Sequence, residues 1–109
     1  MALITDASDI ESLNAILDEN KLVLLDFWAP WCGPCRMLSA TLDEAQNDLP
    51  EAFTIVKINV DEAKEIAAEY SIQTLPTLII LENRVELSSK TGFISKSALI
   101  QWVFKIVDL

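Results

Sequence analysis

Apolar and polar positions along the chain change period several times, and each change marks an element. A short apolar run, ALIT, suits a first strand, and SDIESLNAILDEN then places Ile10, Leu13, Ile16 and Leu17 at helical spacing behind Ser8 or Asp9 as cap. KLVLLDFWA is nearly unbroken in apolar residues over strand length, as in a central strand covered on both faces. A helix is predicted from about Pro34 to Asp48, with Met37, Leu38, Leu42 and Ala45 on one side. AFTIVKINV, rich in β-branched residues, predicts another buried strand, and EAKEIAAEY a short helix behind Asp61 as cap. TLIILE and RVELSSKT read as two strands joined by a tight turn at Asn83, a residue that tolerates positive φ. Ser95 or Ser97 caps ALIQWVFKIV, a closing helix that turns Leu99, Ile100, Val103, Phe104 and Val107 inward.

The resulting order, β-α-β-α-β-α-β-β-α, ends a strand-helix alternation in a hairpin. It predicts an α/β protein whose mixed sheet carries helices on both faces. A length of 109 residues with 51% hydrophobic residues predicts one domain, residues 1–109, able to close a core of its own. Two cysteines are too few for a disulfide-dense secreted scaffold. The opening MALITDASDIE lacks a basic segment followed by a long apolar run, and stretches such as Leu78 to Leu81 fall far short of the roughly 20 residues that span a bilayer. No membrane association is expected, and the setting is read as cytoplasmic. A net charge of −9 argues against nucleic acid as a partner, because phosphate tracking draws on clustered Lys and Arg.

The chemistry concentrates in DFWAPWCGPC, residues 26 to 35. Proline lacks the backbone N–H and fixes φ, so Pro34 should open the helix, leaving Cys32 just outside its start and Cys35 in its first turn. The pair could be a structural clip, half a metal site, or a reactive dithiol. A clip closing so short a loop stabilises by only about 2 kcal/mol. Structural zinc takes four Cys or His ligands, and the chain has no histidine and no third cysteine. The redox reading fits best. A thiolate at a helix amino terminus faces unpaired N–H groups and the positive end of the helix dipole, so Cys32 is the candidate nucleophile. Cys35, one turn in, is placed to attack a mixed disulfide and release the reduced target. A Cys-His hydrolase is excluded by the absence of histidine.

Resolution by Cys35 requires loss of its proton. Asp26 is the candidate base: Leu22, Leu24, Asp26 and Trp28 share one face of their strand, and burial disfavours the carboxylate, raising its pKa toward the working range. Lys57, inside TIVKINV, is a candidate partner for it across neighbouring strands. The alternative is that both lie near strand ends and reach solvent.

LLDFWAPWCGPCRM, together with KINVDE, LPTLI and TGF, resembles the thioredoxin family along essentially the whole chain. The resemblance implies a thioredoxin fold, with a five-stranded mixed sheet flanked by four helices. It also implies a general protein-disulfide reductase with no bound cofactor, cycling through a Cys32–Cys35 disulfide and recharged from NADPH by thioredoxin reductase. Its partners would be that reductase and disulfide-containing client proteins, met by a monomer. Cys32, Cys35, Asp26 and Lys57 are thereby assigned to catalysis, and Trp31, Gly33, Pro34, Thr74, Leu75, Pro76 and Gly92 to the substrate groove, with Trp28 packed under the site. The Leu75-Pro76 bond is expected to be cis, with the Leu75 backbone available to an extended target. A second class, a binding or co-chaperone module using the same groove without redox cycling, stands beside the reductase. An oxidase or isomerase fits less well, since Gly-Pro between the cysteines resembles the reducing members. The chain also departs from the family pattern. Ala40 replaces a common kinking proline and should leave its helix straighter, while Ser71, Thr74 and Arg84 stand where Gly is frequent. Arg84 implies a wider hairpin turn, and Thr74 bears on client preference.

Overall fold

A computed structural model of the chain describes residues 1–107. The elements follow the expected order: β1 (Leu3–Asp6), α1 (Ile10–Glu19), β2 (Leu22–Trp28), α2 (Gly33–Ala45), β3 (Phe53–Asn59), α3 (Lys64–Glu69), β4 (Thr77–Glu82), β5 (Val85–Thr91) and α4 (Lys96–Ile106). A short 3₁₀ turn, Gln46–Asp48, extends α2, which runs unbroken through Ala40.

The sheet order is β1-β3-β2-β4-β5, with β1, β3 and β2 parallel, β4 antiparallel to β2 and β5 antiparallel to β4. Alternating residues of the central strands feed two cores. Leu22 and Leu24 join Leu38 and Leu42 of α2 and Leu99 and Val103 of α4 on one face, whereas Val23, Leu25 and Phe27 meet Leu13 and Leu17 of α1 and Ile66 of α3 on the other. This two-sided burial is why β2 reads as a continuous apolar run.

Local signals account for most helix starts and a few differences. Asp9 caps α1 in a reciprocal box with Ser12, and Ser95 caps α4. Asp61 does not cap α3, whose N-cap position is Ala63 without a side-chain bond. Two residues expected inward point out: Met37 and Phe104 are exposed. On α2 the inner stripe is Cys35, Leu38, Leu42 and Ala45, and on α4 it is Leu99, Trp102, Val103 and Val107. Both outward residues lie one step off a 3.6-residue stripe.

The hairpin turn is tight, not wide. Glu82 pairs with Val85, leaving the two residues Asn83 and Arg84 at φ 49° and 70°, the geometry of a type I′ turn. Arg84 tolerates the left-handed conformation that suits glycine because its guanidinium is anchored on α1, donating to Asn14 and to the Asp18 carboxylate.

Ser71 occupies a second left-handed position, φ 55°. It ends α3 in a Schellman motif, its N–H donating to Ala68 O at 3.1 Å while the Ile72 N–H donates to Ala67 O at 2.9 Å. A left-handed L-residue costs about 1–2 kcal/mol, partly offset by the greater unfolded-state entropy of glycine. Ser71→Gly should therefore raise unfolding stability by about 0.5 kcal/mol, read as a higher urea midpoint at unchanged m-value.

Candidate active site

The β2 strand ends at Trp28, the chain turns through Ala29-Pro30-Trp31, and α2 begins at Gly33 with Cys32 as its N-cap residue. Pro34 thus stands at the second helical position, one residue later than the sequence suggests, and still needs no N–H donor there. Cys32 and Cys35 are joined in a disulfide with a Cα–Cα distance of 5.2 Å. The Cys35 N–H donates to Cys32 Sγ at 3.2 Å. Negative charge on that sulfur would be met by this donor and by the positive end of α2. Both cysteines are largely covered, with Cys32 at 6% exposure and Cys35 at 2%, so the outer thiol presents only a narrow face. Ala29 packs with the two cysteines in a small apolar cluster, against which Trp28, Val60 and Leu75 also pack.

Asp26 lies two residues before Trp28 on the α2-facing side of β2, and is 1% exposed. Neither of its carboxyl oxygens has a hydrogen-bond partner among the described residues. Burial raises its pKa from 3.8 to about 7, partly opposed by the nearby Lys57 ammonium. The alternative in which Asp26 reaches solvent is overturned. Lys57 is Asp26's register partner on β3, yet its ammonium goes elsewhere: Nζ donates to Ser39 Oγ of α2 at 2.5 Å and lies 5.3 Å from the Trp28 ring centroid. Lys57 also reaches a cavity of about 360 Å³ shared with Asp6 and Glu62.

An apolar groove of about 490 Å³ opens beside the disulfide, lined by Trp31, Cys32, Gly33, Pro34 and Leu75 together with Val60, Ala67, Ile72 and Gln73. Trp31 is 69% exposed at its rim, and its indole N–H donates to Asp61 Oδ2 at 3.1 Å. Asp61 is held in turn, its N–H donating to Asn59 Oδ1. The Leu75-Pro76 peptide bond is cis. Three residues assigned to the groove do not line it. Thr74 borders a neighbouring cavity with Tyr70 and Thr77, and Gly92, at φ 85°, donates its N–H to Pro76 O at 2.8 Å. The far wall, Val60, Ala67 and Ile72, reads in sequence as ordinary core pattern and carries no separate signal. Ile72 reaches it because the Schellman turn at Ser71 redirects the chain after α3.

Comparison with known proteins agrees along the chain. The thioredoxin family model matches residues 5–105. A thioredoxin of Rickettsia typhi is 32% identical over 105 residues, covering 96% of this chain and 100% of the relative. One of Pyropia yezoensis is 38% identical over 105 residues, covering 96% and 98%. The crystal structure of the reduced Schistosoma mansoni thioredoxin pre-protein superposes with a TM-score of 0.86 at 28% identity, covering 97% of this chain and all of that one.

Proposed function

The chain belongs to the thioredoxin family and is a thiol-disulfide oxidoreductase, and on that premise we propose that it works as a general protein-disulfide reductase with Cys32 as nucleophile. The observation that carries this direction is the Cys32 sulfur at the mouth of α2, with the Cys35 N–H aimed at it beside an apolar groove.

In the reduced protein the Cys32 thiolate attacks one sulfur of a client disulfide. A Cys32–client bond forms, the client S–S bond breaks, and the departing thiolate takes a proton from solvent. Asp26 then accepts the Cys35 proton, the Cys35 sulfur attacks Cys32 Sγ, and the mixed disulfide breaks to release the second client thiol. Two electrons have passed to the client, and the Cys32–Cys35 disulfide remains. Thioredoxin reductase, drawing on NADPH, is the partner that restores the dithiol, and this chain carries the electrons in its cysteines without a prosthetic group of its own. Lys57 sits beside Asp26 as a charge that favours its ionised form.

Trp31, Gly33, Pro34 and Leu75 form the client surface in this reading, with Thr74, on the neighbouring cavity, and the hydrogen-bonded Pro76 and Gly92 as its flank. An extended peptide pairing with the Leu75 backbone would gain affinity with little sequence preference. We read residues 1–109 as one domain acting as a monomer, in a reducing compartment such as the cytoplasm. The two cores share one sheet, which supports that unit. None of the described helices is long and apolar enough to cross a membrane. The binding-module reading is not favoured, because the cysteines form a disulfide beside the groove.

The test is NADPH consumption with thioredoxin reductase and a disulfide-containing protein such as insulin. Catalytic turnover proportional to the added protein is expected. Its absence, with a reduction potential too oxidising for NADPH-linked recharge, would remove the reductase reading.

A further inference from the structure

Lys57 stands in register between two aspartates, Asp26 on β2 and Asp6 on β1, and bonds to neither. Its ammonium instead donates to Ser39 Oγ, one turn after Cys35 on α2, with the Trp28 ring on another side. The Asp26 carboxyl is left without a hydrogen bond among the described residues, although a cation lies on the next strand. A buried carboxyl in that position ordinarily recruits the cation, since its charged form is otherwise unpaired. The hydroxyl of Ser39 competes for it.

We infer that Ser39 is a positioning residue of the redox site: by accepting the Lys57 ammonium it holds that charge off the Asp26 carboxyl. The consequence for catalysis rests on the reading of Asp26 as proton acceptor for Cys35; the charge placement itself does not. With Lys57 held away, the Asp26 carboxyl keeps its proton to higher pH and is a stronger base once ionised. If Lys57 closed on Asp26, the carboxylate would be favoured at lower pH and would accept a proton less readily.

The groups facing this pair are few. From α2 it is Ser39, the charged residues of that helix, Arg36, Asp43 and Glu44, being exposed. From β3 there is Lys57 alone, and β4 brings Leu78 opposite Asp26. Asp6 and Glu62 face Lys57 across its cavity. On α4, Lys96 is paired with Asp48 and Lys105 is exposed. On β5, Lys90 pairs with Leu78 and its ammonium lies 5.7 Å from the Trp102 ring centroid.

The experiment is a direct titration of the Asp26 side-chain carboxyl by carbon NMR in the oxidised protein. Wild type, Ser39→Ala and Ser39→Thr are compared, and Ser39→Ala is repeated in a Lys57→Met background. Alanine is a good helix former, so Ser39→Ala should fold normally. The Asp26 midpoint should fall by about one pH unit in Ser39→Ala. It should stay near wild type in Ser39→Thr, which keeps the hydroxyl, and Ser39→Ala should cause no further shift once Lys57 is removed. A midpoint unchanged in Ser39→Ala, or a shift that persists without Lys57, overturns the inference. The pH profile of mixed-disulfide resolution separates this from the underlying reading. If Asp26→Asn leaves that profile unaltered, Asp26 is not the proton acceptor, while the NMR midpoints still decide whether Ser39 holds Lys57 away.

Discussion

Cys32→Ser should abolish reduction of protein disulfides, and Cys35→Ser should instead arrest the reaction after one bond exchange with the client attached through Cys32. The asymmetry follows from position. Cys32 is the N-cap residue of α2, with the Cys35 N–H directed at its sulfur, and it borders the groove; Cys35 lies inside the first turn and is almost fully covered. A serine hydroxyl at position 32 supplies no nucleophile for sulfur at neutral pH, because its oxygen remains protonated where a thiolate would be populated. With serine at position 35 the first attack still proceeds, but nothing internal can displace the client from Cys32 Sγ. Mass spectrometry under non-reducing conditions should show a stoichiometric adduct with Cys35→Ser and none with Cys32→Ser. In the NADPH-coupled assay both variants should fall to the rate without added protein. Adducts forming equally well on Cys35 in the Cys32→Ser protein would mean that the order of the two thiols is reversed.

The order of elements and the placement of the cysteines were legible because they depend on local rules. Period changes mark the strands and helices, proline marks where α2 can begin, and a two-sided apolar strand announces that Asp26 is buried. Features set by distant contacts were not. Asp61 reads as a helix cap, but in the fold its carboxylate receives the Trp31 indole N–H at the groove rim. Ser39 is an unremarkable helix residue until β3 brings Lys57 against it. Arg84 looks unsuited to a tight hairpin because the cost of positive φ is local, whereas Asn14 and Asp18, which anchor it, lie on α1. Val60, Ala67 and Ile72 face the disulfide groove, and their apolar character is indistinguishable in sequence from that of core residues. Met37 and Phe104 show the complementary error: apolar residues at near-helical spacing that the actual stripe leaves in solvent.

Asp26→Asn should change the pH dependence of stability as strongly as it changes the chemistry. Burial raises the Asp26 pKa from 3.8 to about 7. Between those values the folded protein holds a proton that the unfolded chain has lost, so stability falls as pH rises through that window and levels off above it. At roughly 1.4 kcal/mol per pH unit of difference, the loss is about 4 kcal/mol by pH 8. Asparagine preserves the shape of the side chain but cannot ionise. Any cost of burying its amide is the same at both ends of the window and drops out of the comparison. Asp9 does not confuse the result: its pKa is lowered by its bonds to Ser12, so what it contributes is lost only in acid below the window, and both proteins share it. Urea unfolding of the oxidised proteins should therefore show Asp26→Asn gaining on wild type by about 3–4 kcal/mol between pH 4 and pH 8. A constant difference across that range would show that Asp26 titrates near its ordinary value in the fold. The same substitution should slow resolution of the mixed disulfide, because Cys35 then loses the proton acceptor proposed for it. A residue whose ionisation costs the fold stability near neutral pH while serving turnover is maintained for its chemistry.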